Sequence, residues 1–310
     1  MKNPKCVPGS GDRRRAGQNR QPASLPKSPP SPLRYPGGKT PALKFLLPFL
    51  PTKPSVLVSP FVGGGSLELA AAARGWQVHA YDAFQPLVDF WQILLTDRDR
   101  LVDAVQQYHP LNSDQFYALQ RANFTTQVDR AAAFFALNRA SREGLTYSGG
   151  FNKSAMTNPR YDRFTPSSID ALRRFVVSGE FWVERSDFRD TLAAHPDDLL
   201  FLDPPYYLIS SSNLYGRRGD LHKNFPHEEL RDRLHERSRW ILCYNDDPKV
   251  REWYDGFFTW SYKTGDCRSE LLVVSRDLED HAREVLPYVQ GLLAEDERRR
   301  AERKAAAKAR

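Results

Sequence analysis

The sequence has few cysteines, no long apolar run and little net charge outside its two ends. Its three cysteines, Cys6, Cys243 and Cys267, are odd in number and form no CxxC pair, which argues against a disulfide framework or a zinc site. No apolar run approaches the roughly 20 residues that cross a bilayer. The N-terminal segment lacks the apolar centre of a signal peptide. We therefore expect a cytoplasmic protein without membrane attachment.

The net charge of +7 comes from the ends of the chain. Residues 1–33 contain seven basic residues, one acidic residue and seven prolines. Residues 295–310 contain seven basic and four acidic residues, which leaves residues 34–294 with a net charge of −2. We predict a disordered basic arm over 1–33 and a charged helical tail over 295–310. The arm is equally well interpreted as a solvated tail or as a segment that contacts phosphates.

Short β-branched runs alternate with helical patterns between these ends. Strand-like runs are found at 55–61, 76–82, 181–187, 199–203, 240–245, 257–263 and 270–276. The last two are separated by a loop short enough for a hairpin. This alternation predicts an α/β fold with a doubly wound, mostly parallel sheet and an antiparallel edge.

One long helical stretch interrupts the alternation. Helical patterns occur at 87–95, 100–108, 113–122 and 128–139, and residues 140–168 are loop-like. We therefore predict a catalytic domain formed by residues 34–85 and 176–294. Residues 86–175 are predicted to form a helical insert.

A glycine-rich turn, FVGGGS at 61–66, follows the first strand and opens a helix. Sheets of this class bind ligands at the carboxyl ends of their strands, and glycine there permits positive φ and close approach of a ligand. Gly63 and Gly65 fit the GxGxxG nucleotide pattern, but Glu68 stands in place of its third glycine. A pyrophosphate site is therefore doubtful, and a plain tight turn is an equal alternative.

Two acidic residues follow other strands. Asp82 ends the second strand, 19 residues after Gly63, where an acid can accept hydrogen bonds from ribose hydroxyls. Asp187 follows another strand and can bond an adenine amino group. Helix capping is the alternative for both acids, but Asp82 and the glycine turn together favour a nucleoside-type ligand. The RYPGGK turn at 34–39 can present Tyr35 and Lys39 to that ligand, although alone it favours a solvated turn.

The DPPY segment at 203–206 follows the apolar run LLFL. Its prolines carry no N–H, so nearby carbonyls lack their usual donors. The exocyclic amine of a nucleobase is a poor nucleophile because its lone pair is delocalised into the ring. Asp203 and the Pro204 carbonyl can hold its two hydrogens and stabilise the positive charge that develops, while Tyr206 offers a ring to stack on the base. The alternative is an ordinary loop exit with a core aromatic residue.

These segments together resemble the Dam-like N6-adenine DNA methyltransferases over about residues 34–276. The order and spacing of RYPGGK, FVGGGS, YDAFQPLV, RSDF, DPPYY and ELLVVSR all fit that family. The resemblance implies S-adenosylmethionine as methyl donor, double-stranded DNA as partner, and direct transfer to adenine N6 after base flipping. It also makes a cognate restriction endonuclease a candidate partner. We expect a monomer, with no metal.

The resemblance assigns roles by position. It places Tyr35 and Lys39 beside the cofactor, and Phe61, Gly63 and Gly65 along its methionine and ribose side. It implies that Asp82 binds the ribose hydroxyls of the cofactor and that Asp187 binds its adenine. It also implies that Asp203 contacts the cofactor. The implied catalytic set is Asp203, Pro204, Pro205 and Tyr206.

The helical insert resembles the family's target-recognition domain. Basic and aromatic residues in a Gly- and Asn-rich loop suit phosphates and base edges. The predicted DNA-binding residues in this loop are Arg139, Arg142, Lys153 and Arg160. The polar loop at 206–225, which follows the DPPY segment, adds Arg217 and Arg218. A solvated loop is the alternative. Arg142 and Glu143 stand where many relatives carry an aromatic-Asn pair, which leaves the base-reading residue open.

Three other functions are consistent with parts of the sequence. Methylation of cytosine N4 involves the same electronic problem, but the motif order and the helical insert favour adenine. A DNA-binding module without catalysis is disfavoured by the intact DPPY segment. A dinucleotide oxidoreductase is disfavoured by Glu68 and has no use for DPPY.

Overall fold

A computed structural model describes residues 29–207, 225–264 and 269–308 of the chain. Most of the predicted basic arm and two predicted DNA-binding residues, Arg217 and Arg218, lie outside these ranges.

The described residues form one seven-stranded sheet with the order β3-β2-β1-β4-β5-β7-β6. The strands are β1 (Val56–Ser59), β2 (Gln77–Asp82), β3 (Glu180–Arg185), β4 (Leu199–Leu202), β5 (Trp240–Asn245), β6 (Phe258–Tyr262) and β7 (Glu270–Val274). Strands β1 to β5 are parallel, and β7 is antiparallel to both β5 and β6. The predicted mostly parallel sheet is confirmed. Its antiparallel strand is β7, which lies between β5 and the edge strand β6.

Strand order reverses between β1 and β4. From β1 the chain builds outward to β2 and β3 on one side, and it returns to β4 and β5 on the other. In doubly wound sheets a crevice opens at the carboxyl ends of the strands at such a switch point. The segments that follow β1, β2, β3 and β4 therefore meet at one edge of the sheet.

The described helices include one at each of the four helical patterns predicted between residues 87 and 139, and a short one, Ser154–Thr157, in the stretch 140–168 that is predicted to be loop-like. They are α1 (Leu43–Leu46), α2 (Ser66–Ala72), α3 (Gln85–Thr96), α4 (Arg98–Gln106), α5 (Ser113–Arg121), α6 (Gln127–Ala140), α7 (Ser154–Thr157), α8 (Pro166–Arg173), α9 (Phe188–Ala194), α10 (His227–His235), α11 (Pro248–Trp253) and α12 (Glu279–Lys308). None of these described helices has the length and apolarity that crossing a membrane requires.

Two apolar cores lie on the two faces of the sheet. One face packs Val78 and Phe181 against residues of α2, α3 and α6. The other packs Leu200 and Leu242 against residues of α9, α10 and α11. All four residues of β4 are buried, as expected for a central parallel strand with helices on both sides.

Two helices, α3 and α12, lie at predicted domain boundaries. Helix α3, which begins the predicted insert, contacts β2 and β3 as well as α6. Helix α3 therefore packs into the core of the sheet, although it lies within the predicted insert. The other helices of the predicted insert, α4, α5, α6, α7 and α8, follow it in the chain. Helix α12 continues without interruption through the predicted boundary at 294/295. A separate target-recognition insert remains a prediction.

Candidate active site

A cavity of about 260 Å³ opens at the carboxyl ends of β3, β2, β1 and β4. Its wall brings together most of the residues that the sequence singled out one by one. They are Tyr35, Lys39, Phe61, Gly63, Gly65, Asp82, Asp187, Asp203 and Pro205. The remaining two, Pro204 and Tyr206, adjoin Pro205 in the DPPY segment.

The glycine turn has the backbone conformation that its composition predicts. Gly63 has φ +45° and Gly65 has φ +64°. A Cβ on Gly63 would lie 2.7 Å from Cε1 of Tyr35, and one on Gly65 would lie 2.9 Å from Cζ2 of Trp91. Trp91 also donates from Nε1 to the Gly63 carbonyl at 3.1 Å. The glycines are therefore required for two ring contacts as well as for the turn itself.

Asp82 supports this turn from the end of β2. Its Oδ2 accepts from the Gly63 N–H at 3.2 Å, and its Oδ1 accepts from the Phe84 N–H at 2.9 Å. Burial raises the pKa of Asp82 to about 6, although these backbone donors lower it. The N-cap residue of α3 is Phe84. Asp82 is therefore not the cap of this helix.

Asp187, in contrast, does cap a helix. It is the N-cap residue of α9, and its Oδ1 accepts from the Arg189 N–H at 2.9 Å. The Arg189 side chain joins Asp187 to Glu229 of α10. Asp187 also lines the cavity, so the capping role and a ligand role are compatible.

An aromatic wall lies next to Asp187. The ring of Phe61 is centred 5.9 Å from that of Phe188 and 5.6 Å from that of Phe225, and the last two are 5.5 Å apart. All three rings line the cavity. Of these three rings, only Phe61 is predicted from the sequence to line the site. The position of Phe188 directly after Asp187 was an available signal, whereas Phe225 carries no local pattern.

Asp203 is held by an ion pair that the sequence analysis missed. Nζ of Lys39 lies 2.6 Å from Oδ2 of Asp203. The same ammonium donates to the Gly37 carbonyl at 2.8 Å and to the Tyr206 hydroxyl at 2.9 Å. Lys39 lies beside the cavity as predicted, but its side-chain nitrogen is directed at the carboxylate of the DPPY segment.

Burial and charge oppose each other in this pair. Burial raises the pKa of Asp203 to about 6, although the Lys39 ammonium lowers it. Burial is the largest single influence on Lys39 and lowers its pKa, but Asp203, Tyr206 and Glu270 together raise it, so the pKa of Lys39 lies well above its ordinary value. Both groups are therefore charged at neutral pH.

The rest of the DPPY segment frames this carboxylate. Pro204 is buried, and no group in the described part of the chain donates to its carbonyl. The Tyr206 ring is centred 6.0 Å from that of Tyr244 at an interplanar angle of 31°. Its hydroxyl is engaged with Lys39, so the ring has a fixed support.

A buried acid that was noticed only as a departure from a motif also lines the cavity. Glu68 is 3% exposed and its Oε1 accepts from Ser59 Oγ at 2.7 Å. Burial raises the pKa of Glu68 to about 7. The signal in the sequence was an acid in an otherwise apolar helix.

The predicted DNA-binding residues fall into two groups. Arg142, Lys153 and Arg160 are exposed, and the Arg142 side chain retains 79% exposure. Arg139 differs, because its guanidinium donates to the carbonyls of Arg163 and Pro32, and burial lowers its pKa to about 10. This placement favours a structural role for Arg139 over the predicted DNA contact.

The loop over residues 141–151 is tied to the wall of the cavity. The buried Asn138 side chain donates to the carbonyls of Arg34 at 2.7 Å and Gly144 at 3.2 Å, and it accepts from the Arg34 N–H at 3.0 Å. A Cβ on Gly144 would lie 1.9 Å from the Arg34 carbonyl oxygen. Arg34 adjoins Tyr35, so the exposed tip of this loop has a rigid base beside the cavity.

Comparisons with known proteins place this site in a family. The model of the D12 class N6 adenine-specific DNA methyltransferases matches residues 35–265. The type II methyltransferase M.CviBI of Paramecium bursaria Chlorella virus NC1A is 20% identical over 237 residues, which cover 74% of this chain and 88% of that protein. A DNA adenine methylase of Haemophilus influenzae is 26% identical over 239 residues, which cover 72% of this chain and 82% of that protein.

Solved structures add a weak likeness. The rRNA methyltransferase aviRa from Streptomyces viridochromogenes aligns with 77% of this chain and 84% of its own, at 13% identity and a TM-score of 0.36. The family model, in contrast, covers every strand end around the cavity. The chain therefore belongs to the D12 class N6 adenine-specific DNA methyltransferase family.

Proposed function

We propose that the cavity holds S-adenosylmethionine and that Asp203 and Pro204 hold the amino group of an adenine swung out of double-stranded DNA. The activity itself, methylation of adenine in DNA, follows from the family. One observation carries the assignment of roles. The Asp203 carboxylate lines the cavity, is 21% exposed and has one oxygen fixed by a buried ammonium.

The residues of the cavity fit a nucleoside joined to an amino acid. Asp82 offers carboxylate oxygens near the glycine turn, where ribose hydroxyls can donate. The rings of Phe61, Phe188 and Phe225 offer apolar surface for a purine next to Asp187. S-adenosylmethionine, when bound, supplies a methyl group on a positively charged sulfur. The protein's task is to align that methyl group with the acceptor nitrogen.

The chemistry of the DPPY segment is preparation of the acceptor nitrogen. Adenine N6 is weakly nucleophilic because its lone pair is delocalised into the ring. Hydrogen bonds from its two N–H groups to Asp203 and the Pro204 carbonyl favour a pyramidal nitrogen and stabilise its developing positive charge. With a pKa of about 6, Asp203 is ionised at neutral pH and can hold the proton that the nitrogen releases.

The DNA duplex is proposed to lie against the exposed basic residues of the helical region. Arg142, Lys153 and Arg160 are available for phosphates or base edges. Arg139 is left out of this set because its guanidinium is occupied by two carbonyls. The residues from α4 to α8 are proposed as the target-recognition part.

Nucleoside analysis tests the proposal. Unmethylated duplex DNA is incubated with the enzyme and S-adenosylmethionine, digested to nucleosides and examined by mass spectrometry. We expect N6-methyldeoxyadenosine. N4-methyldeoxycytidine, or DNA binding without any transfer, would contradict the proposal.

A matched pair of variants tests the role of Asp203. Asp203→Asn keeps the shape of the side chain but removes its charge, so we expect the single-turnover rate to fall by about 10²–10³-fold. Binding of S-adenosylhomocysteine is expected to persist. Asp255→Asn, at an exposed position, is the control. An Asp203→Asn enzyme with the wild-type rate would refute the role assigned to this carboxylate.

A further inference from the structure

Glu68 is an acid in the cavity wall that the proposed function leaves without a role. It is the third residue of α2, and every residue of that helix is buried. Acidic side chains are almost never fully buried unless they are paired or serve a ligand. A structural role for the ionised form of this acid therefore requires a partner of opposite charge.

The surroundings of Glu68 contain no such partner. Ser59, at the end of β1, donates to its Oε1 at 2.7 Å. Two charged groups face it, Asp203 after β4 and Lys39 before α1, and the Lys39 ammonium is committed to Asp203. Within the residues that the structure describes, Glu68 forms no ion pair. The carboxyl group is thus held in place by a hydroxyl and directed at the cavity without a protein cation.

The strand order gives the place of Glu68 along the cavity. Asp187 follows β3, Asp82 ends β2, Ser59 with its bonded Glu68 lies at β1, and Asp203 follows β4. If the nucleoside lies at β3 and β2, then the amino-acid end of the cofactor lies at β1 and β4. That end carries an α-ammonium group. The wall offers two carboxyl groups there, Glu68 and Asp203, and Asp203 is already paired with Lys39.

We propose that Glu68 binds the α-ammonium group of the methionine portion of S-adenosylmethionine, with Ser59 fixing the orientation of the carboxyl group. This assignment rests on the proposed function, because it takes the nucleoside to lie beside Asp82 and Asp187. The sulfonium is a second cation of the cofactor. It has to face the acceptor nitrogen held by Asp203, which leaves the ammonium for Glu68.

The electrostatics of the free protein agree with a cation site. Burial raises the pKa of Glu68 to about 7, and the Asp203 carboxylate also raises it, while the Ser59 hydroxyl and the Lys39 ammonium lower it. Near neutral pH the carboxyl group is therefore partly protonated. An arriving ammonium favours the ionised form, so binding of the cofactor releases a fraction of a proton.

A pair of ligands isolates the contact. S-adenosylhomocysteine carries the ammonium, whereas 5′-methylthioadenosine has the same nucleoside and a thioether but no amino acid. With Glu68→Gln we expect calorimetric affinity for S-adenosylhomocysteine to fall by about 10–100-fold, as for loss of a charged hydrogen bond. Affinity for 5′-methylthioadenosine is expected to remain within about threefold.

The same titrations include a proton balance. In buffers of different ionisation enthalpy at pH 7, the wild-type protein is expected to release a fraction of a proton on binding S-adenosylhomocysteine. The Glu68→Gln variant is expected to release less. Ser59→Ala is the second variant, and it keeps the carboxyl group of Glu68. We expect it to lower the affinity for S-adenosylhomocysteine more than that for 5′-methylthioadenosine, but by a smaller factor than Glu68→Gln does.

The outcomes separate the two levels of inference. If Glu68→Gln lowered the affinity for both ligands equally, Glu68 would have a structural role and the assignment would be overturned. A much larger loss for S-adenosylmethionine than for S-adenosylhomocysteine would assign it to the sulfonium and overturn it too. A wild-type protein that binds neither ligand would instead refute the proposed function.

Discussion

Lys39 and Asp203, 164 positions apart in the sequence, form an ion pair of 2.6 Å at the edge of the cavity. The Lys39 side chain is 4% exposed and that of Asp203 is 21% exposed. The orientation of the DPPY carboxylate therefore depends on a turn that precedes the first strand of the sheet. We therefore propose that Lys39 acts as a positioning residue for Asp203 as well as lying beside the proposed cofactor.

Replacement of Lys39 by Met is expected to leave a buried carboxylate without its cation. We expect a loss of stability of about 3–5 kcal/mol, the usual effect of removing one partner of a buried pair. The pKa of Asp203 is expected to rise above its value of about 6, so the transfer rate at pH 7 falls and recovers at higher pH. Urea unfolding and single-turnover rates between pH 6 and 9 measure both effects.

Lys44→Met is the matched control for that variant, since Lys44 pairs with Asp296 at a position where its side chain is 47% exposed. Exposed ion pairs contribute about 1 kcal/mol or less. A Lys39 variant with an unchanged pH profile would show that Lys39 does not control the protonation of Asp203.

The pH dependence of the wild-type enzyme follows from the same carboxylate. Protonation of Asp203 removes the negative charge that is proposed to stabilise the adenine amino group as it becomes positive, so the rate at saturating cofactor is expected to fall as the pH drops through about 6. Above that pH the rate is expected to level off. Single-turnover measurements from pH 5 to 8 test this, and a rate that rises on acidification would contradict the role of an ionised Asp203.

The pH dependence of stability has the opposite sign. Burial raises the pKa values of Asp82 and Asp203 to about 6 from an ordinary value of 3.8. Between these values the folded state binds more protons than the unfolded state, so the free energy of unfolding from these groups decreases as the pH rises from about 4 to 6. Asp82→Asn is expected to remove part of that decrease, as measured by urea unfolding at pH 4.5 and 7.

Two glycines with the same φ allow a test of the loop that adjoins the cavity. Gly144 and Gly256 both have φ +80°, but a Cβ on Gly144 would lie 1.9 Å from the Arg34 carbonyl oxygen, whereas one on Gly256 would meet nothing within 4 Å. Gly256→Ala is expected to cost about 1–2 kcal/mol for its left-handed backbone. Gly144→Ala is expected to cost about 1–3 kcal/mol more. Equal losses in urea unfolding would show that the loop relaxes freely away from Arg34.

The basic N-terminal segment is expected to contribute to DNA affinity through phosphates. Removal of residues 1–28 takes away seven basic residues and one acidic residue while it keeps the buried Leu33. We expect weaker binding to any duplex and a flatter dependence of log K on log salt, by about 0.9 for each lost phosphate contact. Binding titrations from 50 to 200 mM salt measure the slope. An unchanged slope would show that the segment does not contact phosphates.

The sequence predicts the sheet and the place of the site well, because both depend on local patterns. Every predicted strand is present, and the acids at the ends of β2 and β4 meet in one cavity as the parallel order requires. The family prediction is confirmed as well. These features are encoded in short runs and in their order along the chain.

Contacts between distant segments were not predictable in the same way. Nothing in RYPGGK indicates that the Lys39 side chain reaches Asp203, since that contact depends on how the turn packs over the sheet. The sequence predicts that Arg139 binds DNA. In the structure its guanidinium donates instead to the carbonyls of Pro32 and Arg163, which are distant from it in the chain. In the sequence Glu68 is a mismatch to the GxGxxG pattern, and nothing in that pattern indicates that its side chain lines the cavity.

The three hydrogen bonds of Asn138 have a mechanical consequence. They fasten the stretch that carries Arg142 to the main chain of Arg34, one residue before the Tyr35 ring that covers the glycine turn. A displacement of that stretch by a bound duplex must either break this clasp or pull Tyr35 along with it. We therefore expect binding of a duplex at Arg142 to be coupled to the position of the Tyr35 ring beside the cavity.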